Sequence, residues 1–169
     1  MDVIVCDVGP RDGLQNEQET LPAATRAELV SRLAAAGLER IEAVSFVRDD
    51  RVPQMADAEE VVAAAVRGSA ELSGLVLNER GHERFARTSL DRVNCTFAVT
   101  ETFSMRNANA TVDEAVARTN AIVAAATTPV TVTVSCAFGC PFEGEVDPGV
   151  VADLCERIEG EDELVLADT

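Results

Sequence analysis

Apolar runs of strand length alternate with helix-patterned segments along the whole of this 169-residue chain. The runs fall at Val3–Val8, Ile41–Phe46, Leu72–Leu77, Arg92–Val99, Val130–Ser135 and Leu164–Ala167. Helical spacing fills the gaps over Pro22–Ala36, Ala56–Val66, Glu79–Arg87, Thr111–Ala126 and Pro148–Ile158. Two helix boundaries are written in the sequence. Gly37 suits a left-handed C-cap, and Thr111 followed by Glu114 spells a capping box. The pattern predicts about six strands and five helices. Strict alternation of this kind implies parallel strands joined by crossover helices. Two architectures satisfy it: an open doubly wound sheet, or part of a (β/α)8 barrel. No Gly-x-Gly-x-x-Gly follows the first run and no P-loop occurs, which removes the usual support for a nucleotide-binding open sheet.

No linker or low-complexity tract interrupts the alternation, so residues 1–169 are expected to form a single domain. An apolar content of 47% is incompatible with disorder. No apolar run reaches the roughly 20 residues of a membrane helix, and no basic segment opens the chain, so neither a membrane nor secretion is expected. A net charge of −16 would repel phosphate backbones, which argues against nucleic acid as a partner. The five cysteines are an odd number set in apolar surroundings, which fits reduced thiols in the cytoplasm better than a disulfide framework.

The densest chemistry is Val8-Gly-Pro-Arg-Asp-Gly-Leu-Gln-Asn-Glu17, directly after the first run, which reads as a buried strand. Gly9 and Pro10 stop the strand, and charge follows at its C-terminal end, where barrels of parallel strands place function. Asp12 beside Arg11 reads either as an ion pair that tidies a loop or as a hard-cation ligand beside a guanidinium. Arginine in such a place can bind a carboxylate or stabilise an enolate. Glu42 lies inside the apolar run Ile41–Phe46, so it needs a partner, and Arg11 is the candidate. Ser45, Asn78, Glu101, Asn107, the stretch Cys136–Glu143, Asp168 and Thr169 also fall at or after strand ends. The loop Ser135–Gly144 reads alternatively as a tight turn with buried thiols, and the lone His82 as a surface residue.

Taken together, VGPRDGLQNE (Val8–Glu17), IEAVSFV (Ile41–Val47), Val52-Pro-Gln-Met55, Asn78-x-x-Gly81, Glu101-Thr-Phe-Ser with Asn107, VSCAFGCPFEG (Val134–Gly144) and Ala167-Asp-Thr169 resemble the hydroxymethylglutaryl-CoA lyase family. That family lies within the wider metal-dependent lyase and carboxyltransferase barrels. The resemblance covers essentially the whole chain. Related synthases share Arg-Asp-Gly-x-Gln, but the Leu-Gln-Asn-Glu continuation and the Ser-Cys-x-x-Gly-Cys-Pro loop point to the lyase.

The resemblance implies a (β/α)8 TIM barrel, incomplete in this chain, and cleavage of 3-hydroxy-3-methylglutaryl-CoA to acetyl-CoA and acetoacetate. It implies an acyl-CoA substrate, Mg²⁺ or Mn²⁺ as cofactor, and a homo-oligomer for the full-length form. Arg11, Asp12 and Glu42 would be catalytic. Asp12 would ligate the cation, Arg11 would stabilise the enolate, and Glu42 would orient Arg11. Gln15, Ser45, Asn107, Asp168 and Thr169, with Arg11, would line the substrate. The family completes its metal site with a His-x-His pair and an asparagine that would lie beyond Thr169. The chain is therefore expected to be the N-terminal portion of such an enzyme. Two alternatives stand beside it: a non-catalytic short or split subunit that pairs with a second chain, and a lyase or synthase acting on a related acyl-CoA.

Overall fold

The structure, a computed structural model, describes residues 3–168, and the chain divides into two compact units. The first comprises Met1–Val76 with Arg80–Val93. It opens with β1 (Cys6–Asp7) and a wide helical turn over Gly9–Gly13. Then come α1 (Ala23–Ala35), β2 (Arg40–Ser45), α2 (Ala58–Ala64), β3 (Glu71–Val76) and α3 (Glu79–Phe85). β1 and β3 both pair with β2 in parallel. Residues Ile41–Phe46 are all buried, as expected where both faces of a parallel strand are covered.

Local chemistry explains these boundaries. Pro22 immediately precedes α1, and its carbonyl accepts from the Thr25 and Arg26 amides at 3.0 and 3.1 Å. Past the helix, Gly37 takes a φ of +93° and returns its amide to the Ala34 carbonyl, a conformation that only glycine adopts without strain. The helix buries Ala27 and Val30 together with Arg26. A buried guanidinium needs partners, and Arg26 finds them in the Gln54 and Ala56 carbonyls. Burial holds its pKa below the usual arginine value.

The second unit comprises Leu77–Glu79 with Asn94–Thr169. It carries most of β4 (Arg92–Ala98), then α4 (Glu101–Ala108), α5 (Val112–Ala125), β5 (Val130–Ser135), α6 (Pro148–Cys155) and β6 (Glu163–Leu166). β4, β5 and β6 are neighbours in sequence order, and β6 runs parallel to β5 from Thr131↔Glu163 to Val134↔Leu166. The capping box of α5 forms as the sequence predicts. Thr111 Oγ1 accepts from the Glu114 amide at 3.2 Å, and Glu114 Oε2 from the Thr111 amide at 2.9 Å. At α6, Asp147 caps the Gly149 amide at 2.8 Å with Pro148 at the first helical position.

Two expectations need correction. The first run is not a buried strand: only Cys6–Asp7 pairs, and Val3, Ile4, Val5 and Val8 are exposed. β1 has β2 as its one strand neighbour among the described residues. The described residues also contain six α-helices where five are expected. The additional one is α4. It is short, carries Thr, Ser and Asn at positions that weaken helical propensity, and takes its N-terminal partner from a distant loop: the Glu143 carboxylate accepts from the Thr102 amide at 2.7 Å.

Candidate active site

The turn after β1 is built around one carbonyl. Val8 O accepts from the amides of Arg11, Asp12 and Gly13 at 3.1, 2.7 and 3.5 Å. Asp7 Oδ1 takes the Gly9 amide at 2.9 Å, and Asn16 Nδ2 donates to the Asp12 carbonyl at 2.8 Å. These bonds fix Arg11 and Asp12 at the C-terminal end of β1, against β2. Arg11 Nε donates to Glu42 Oε1, and its Nη1 to Asp12 Oδ1 at 2.7 Å. The three residues grade from inside to outside: the side chains of Glu42, Arg11 and Asp12 are 3%, 16% and 54% exposed. Arg11 is thus held between a buried carboxylate and an exposed one. The buried contact supplies most of the orientation, because an exposed ion pair contributes little.

A β-bulge organises the other side of the site. β2 pairs Glu42 with Ser73, then Val44 with Gly74 and Ser45 with Leu75, so Ala43 is the extra residue. Ser73 and Leu75 lie on one face of β3, two residues apart. Their partners Glu42 and Ser45 therefore share a face, although they are three apart in sequence. Ser45 is fully buried, and its Oγ makes no hydrogen bond; Gln15 Oε1, one turn beyond Asp12, is likewise buried and unbonded. Unpartnered buried oxygens are rare, and this one unit holds two: the Gln15 oxygen could accept from a polar ligand, and the Ser45 hydroxyl could donate to one or accept from it.

The second unit carries Asn107, exposed on α4, and Asp168, exposed after β6. Thr169 lies outside the described residues. Several other strand-end groups are occupied structurally. Glu101 Oε1 and Oε2 both accept from the Val112 amide at 3.2 Å, and Glu143 is taken by Thr102. The loop after β5 is a tight turn with buried thiols: Cys140 and Gly144 exchange backbone bonds of 2.8 and 2.9 Å, and Gly144 has a φ of +82°. Burial raises the Cys140 thiol, but hydrogen bonds involving Thr100, the Phe142 and Glu143 amides and Cys136 outweigh it and hold it below the usual thiol value. Cys95 has no such help, and burial pushes it up to about 12. None of the five cysteines is in a disulfide. His82 stacks on Phe85 at 6.2 Å between ring centroids.

Among the described residues no group of three or more His, Cys, Asp and Glu side chains is placed to hold a metal ion. What is present fits part of a hard-cation site: the exposed Asp12 carboxylate, with the unbonded Gln15 Oε1 one turn on. The sequence predicted Arg11, Asp12, Gln15, Glu42 and Ser45, and gave no sign of the bulge that puts Glu42 and Ser45 on one face. It also missed the ring cluster Phe103–Phe142, whose centroids are 5.9 Å apart, with Arg106 over Phe142. Its one local signal is the Phe103, Arg106 spacing on a helix the sequence did not announce.

Sequential parallel β/α units with a guanidinium and carboxylates at a strand's C-terminal end define the class: a (β/α)8-type barrel, incomplete in this chain. The HMGL-like family profile matches residues 2–169, and the chain belongs to that family. It is 38% identical to the mitochondrial hydroxymethylglutaryl-CoA lyase of Mus musculus, over 99% of this chain and 53% of that protein. To the hydroxymethylglutaryl-CoA lyase of Pseudomonas mevalonii it is 40% identical, over 99% and 58%. The crystal structure of the HMG-CoA lyase from Brucella melitensis superposes with a TM-score of 0.94 at 37% identity, covering 99% of this chain and 61% of that one. An HMG-CoA lyase from Acinetobacter baumannii, in complex with coenzyme A and 3-methylmalate, gives 0.94 at 33%, covering 98% and 56%. The chain spans about half the length of the curated relatives it matches.

Proposed function

We propose that the protein carrying these residues cleaves 3-hydroxy-3-methylglutaryl-CoA to acetyl-CoA and acetoacetate. The observation that carries this is Arg11, fixed between buried Glu42 and exposed Asp12 at the end of β1. In such a cleavage the tertiary hydroxyl loses its proton and becomes a ketone as the C–C bond breaks. The bonding pair passes to the thioester fragment as an enolate, which then takes a proton. A guanidinium already oriented at the thioester oxygen would meet that developing charge without reorganising. Glu42 is a positioning residue in this scheme, since it holds the Nε side of Arg11. Ser45 and Asn107 would contact the acyl part, Gln15 would sit near the metal and substrate, and Asp168 and Thr169 would line the mouth of the site. Asp12 would hold a Mg²⁺ or Mn²⁺ ion, which when bound would polarise the tertiary hydroxyl. Five cysteines without a disulfide suit a reducing, cytoplasmic setting, and no described helix is long and apolar enough to cross a membrane.

The test is turnover of the hydroxymethylglutaryl thioester by the full gene product, with and without Arg11→Gln. The expected result is acetoacetate and acetyl-CoA in equal amounts from the wild type. In Arg11→Gln, turnover should fall by about 10²–10³-fold with substrate affinity changed only a few-fold, because the interaction strengthens in the transition state. Unchanged turnover with weakened affinity would refute the role of Arg11. No turnover of this thioester, with turnover of a related acyl-CoA, would move the protein to that substrate.

A further inference from the structure

The turn that carries Arg11, Asp12 and Gln15 is fastened at both ends. At its start the Val8 carbonyl gathers three amides of the turn itself. At its far end the Glu17 carbonyl accepts from Gln54 Nε2 at 2.8 Å, across 37 residues of sequence. Residues 17–22 are neither helix nor strand, so this bond stands where the turn gives way to irregular chain. Gln54 is itself held from two directions. It lies in a short 3-10 turn over Pro53–Met55, between a proline that restricts the backbone and a methionine that is fully buried. The Arg26 guanidinium, reaching from α1, spans the same turn: Nη1 donates to the Gln54 carbonyl at 2.7 Å and Nη2 to the Ala56 carbonyl. Arg26 is 3% exposed, its Nε is buried without a bond, and both of its bonds go to carbonyls. A charge placed inside a protein on these terms is costly. What it secures is a fixed backbone on both sides of Met55, from which the Gln54 side chain loses little further freedom in reaching Glu17.

We propose that Gln54 is a positioning residue for the turn that carries Arg11, Asp12 and Gln15, with Arg26 as the clamp that sets its reach. This assignment rests on the lyase site proposed above and extends it to residues that act on the site through the backbone. Gln15 stands two residues before Glu17, and its buried Oε1 has no hydrogen bond. A side chain without a bond of its own takes its place from the backbone that carries it. Two long turn bonds hold that backbone, from the Asn16 amide to the Gly13 carbonyl at 3.3 Å and from the Glu17 amide to the Leu14 carbonyl at 3.2 Å. The Gln54 bond is shorter than either and comes from another element, so it ties the end of the turn to the segment that α1 clamps. One such bond is the equivalent of about fivefold in an equilibrium. A misplacement of about 1 Å can cost about 10²-fold in rate, so loosening the turn is felt in the chemical step.

The experiment compares the full gene product with Gln54→Met, which keeps the length of the side chain and removes its donor. Amide hydrogen exchange and turnover of the hydroxymethylglutaryl thioester are both measured. In Gln54→Met the peptide covering residues 11–17 is expected to exchange about fivefold faster, the size of one lost hydrogen bond, while the peptide covering β2 is unchanged. Turnover should fall by about five- to tenfold with KM moved less than threefold, because the loss lies in alignment and not in binding. The same substitution in a Gln15→Ala background should then change turnover by less than twofold, since the side chain that it positions is gone. Arg26→Lys, which keeps the charge and loses the fork, should speed exchange at residues 11–17 in the same direction; if that variant does not fold, Gln54→Met decides alone. Unchanged exchange at residues 11–17 overturns the proposal. So does faster exchange spread equally over β2, which would make Gln54 a residue of general stability, and so do losses in turnover that multiply fully with Gln15→Ala. The two readings separate. Faster exchange confined to the turn, in a protein whose wild type does not cleave the thioester, keeps the tie and removes the lyase. Lyase turnover with exchange and kcat indifferent to Gln54→Met does the reverse.

Discussion

At the residue scale the site is a gradient of burial, and the gradient predicts which substitutions hurt. Removing Arg11 takes the charged partner from a carboxylate that is almost wholly inside. Breaking a buried pair from one side costs about 3 kcal/mol, so Arg11→Gln should lower the unfolding free energy by about 2–3 kcal/mol in a urea titration. Glu42→Gln keeps the shape and loses a charge that Arg11 can still offset with Asp12, so its cost should be smaller. Asp12→Asn touches only the exposed arm and should cost less than about 1 kcal/mol. A double-mutant cycle on Arg11 and Glu42 that returned no coupling would show that the pair does not hold the site together. This part of the chain was legible beforehand: a carboxylate inside an apolar run demands a partner, and the charge cluster after the first strand supplied one. The common face of Glu42 and Ser45 was not legible, because it depends on the register of β2 against β3 and on one extra residue at Ala43.

At the element scale, helices and strands with local signals were readable and those with borrowed ones were not. α1 and α5 declare their ends in Gly37 and Thr111–Glu114, whereas α4 is capped by Glu143 from the far side of β5. Element contacts also set two predictions. Gly74 on β3 faces Leu90 and Phe46. A Cβ there would stand 2.7 Å from Leu90 Cδ1 and 2.8 Å from Phe46 Cε2, and Phe46 is itself fixed edge-on against Phe85. Gly74→Ala should therefore cost about 1–3 kcal/mol, as over-packing does, and Leu90→Val in the same protein should recover part of it. Strictly additive melting shifts would show that Leu90 is not the obstacle. The second concerns α2 and α3, joined by Glu59 and Arg84 through bonds of 2.7 and 2.8 Å. The bonds from Arg84 hold the Glu59 carboxyl below its ordinary value. A depressed carboxylate stabilises the fold above its unfolded-state pKa and loses that effect as pH falls through the folded one. The melting-temperature gap between wild type and Glu59→Gln should thus be open at pH 7 and close as pH drops below about 4. The gap should be small even when open, since Glu59 is 42% exposed. A gap that widened on acidification would reverse the assignment.

At the scale of the whole molecule the sequence pattern gave the class of fold, because alternation of two periods leaves few architectures. It failed where a run is apolar and yet uncovered. Val3, Ile4, Val5 and Val8 read as a core strand, but the first of them is 75% exposed, and only two residues of the run pair with β2. In the other unit, Val165 and Leu166 on β6 are exposed as well. Hydrophobicity states what a segment would bury; which neighbour buries it is a tertiary fact. Exposed apolar residues beside a strand with one free edge invite association through both backbone and side chains. The 169-residue chain, produced alone, is therefore expected to bind a hydrophobic dye at neutral pH and to sediment as larger species as its concentration rises. Val5→Lys should reduce both signals, because a charged side chain on an edge opposes strand addition. A cooperative thermal transition with negligible dye binding and a monomeric sedimentation profile would mean that these surfaces are tolerated as they stand. Co-purification with a second polypeptide that suppresses the dye signal would instead identify what covers them.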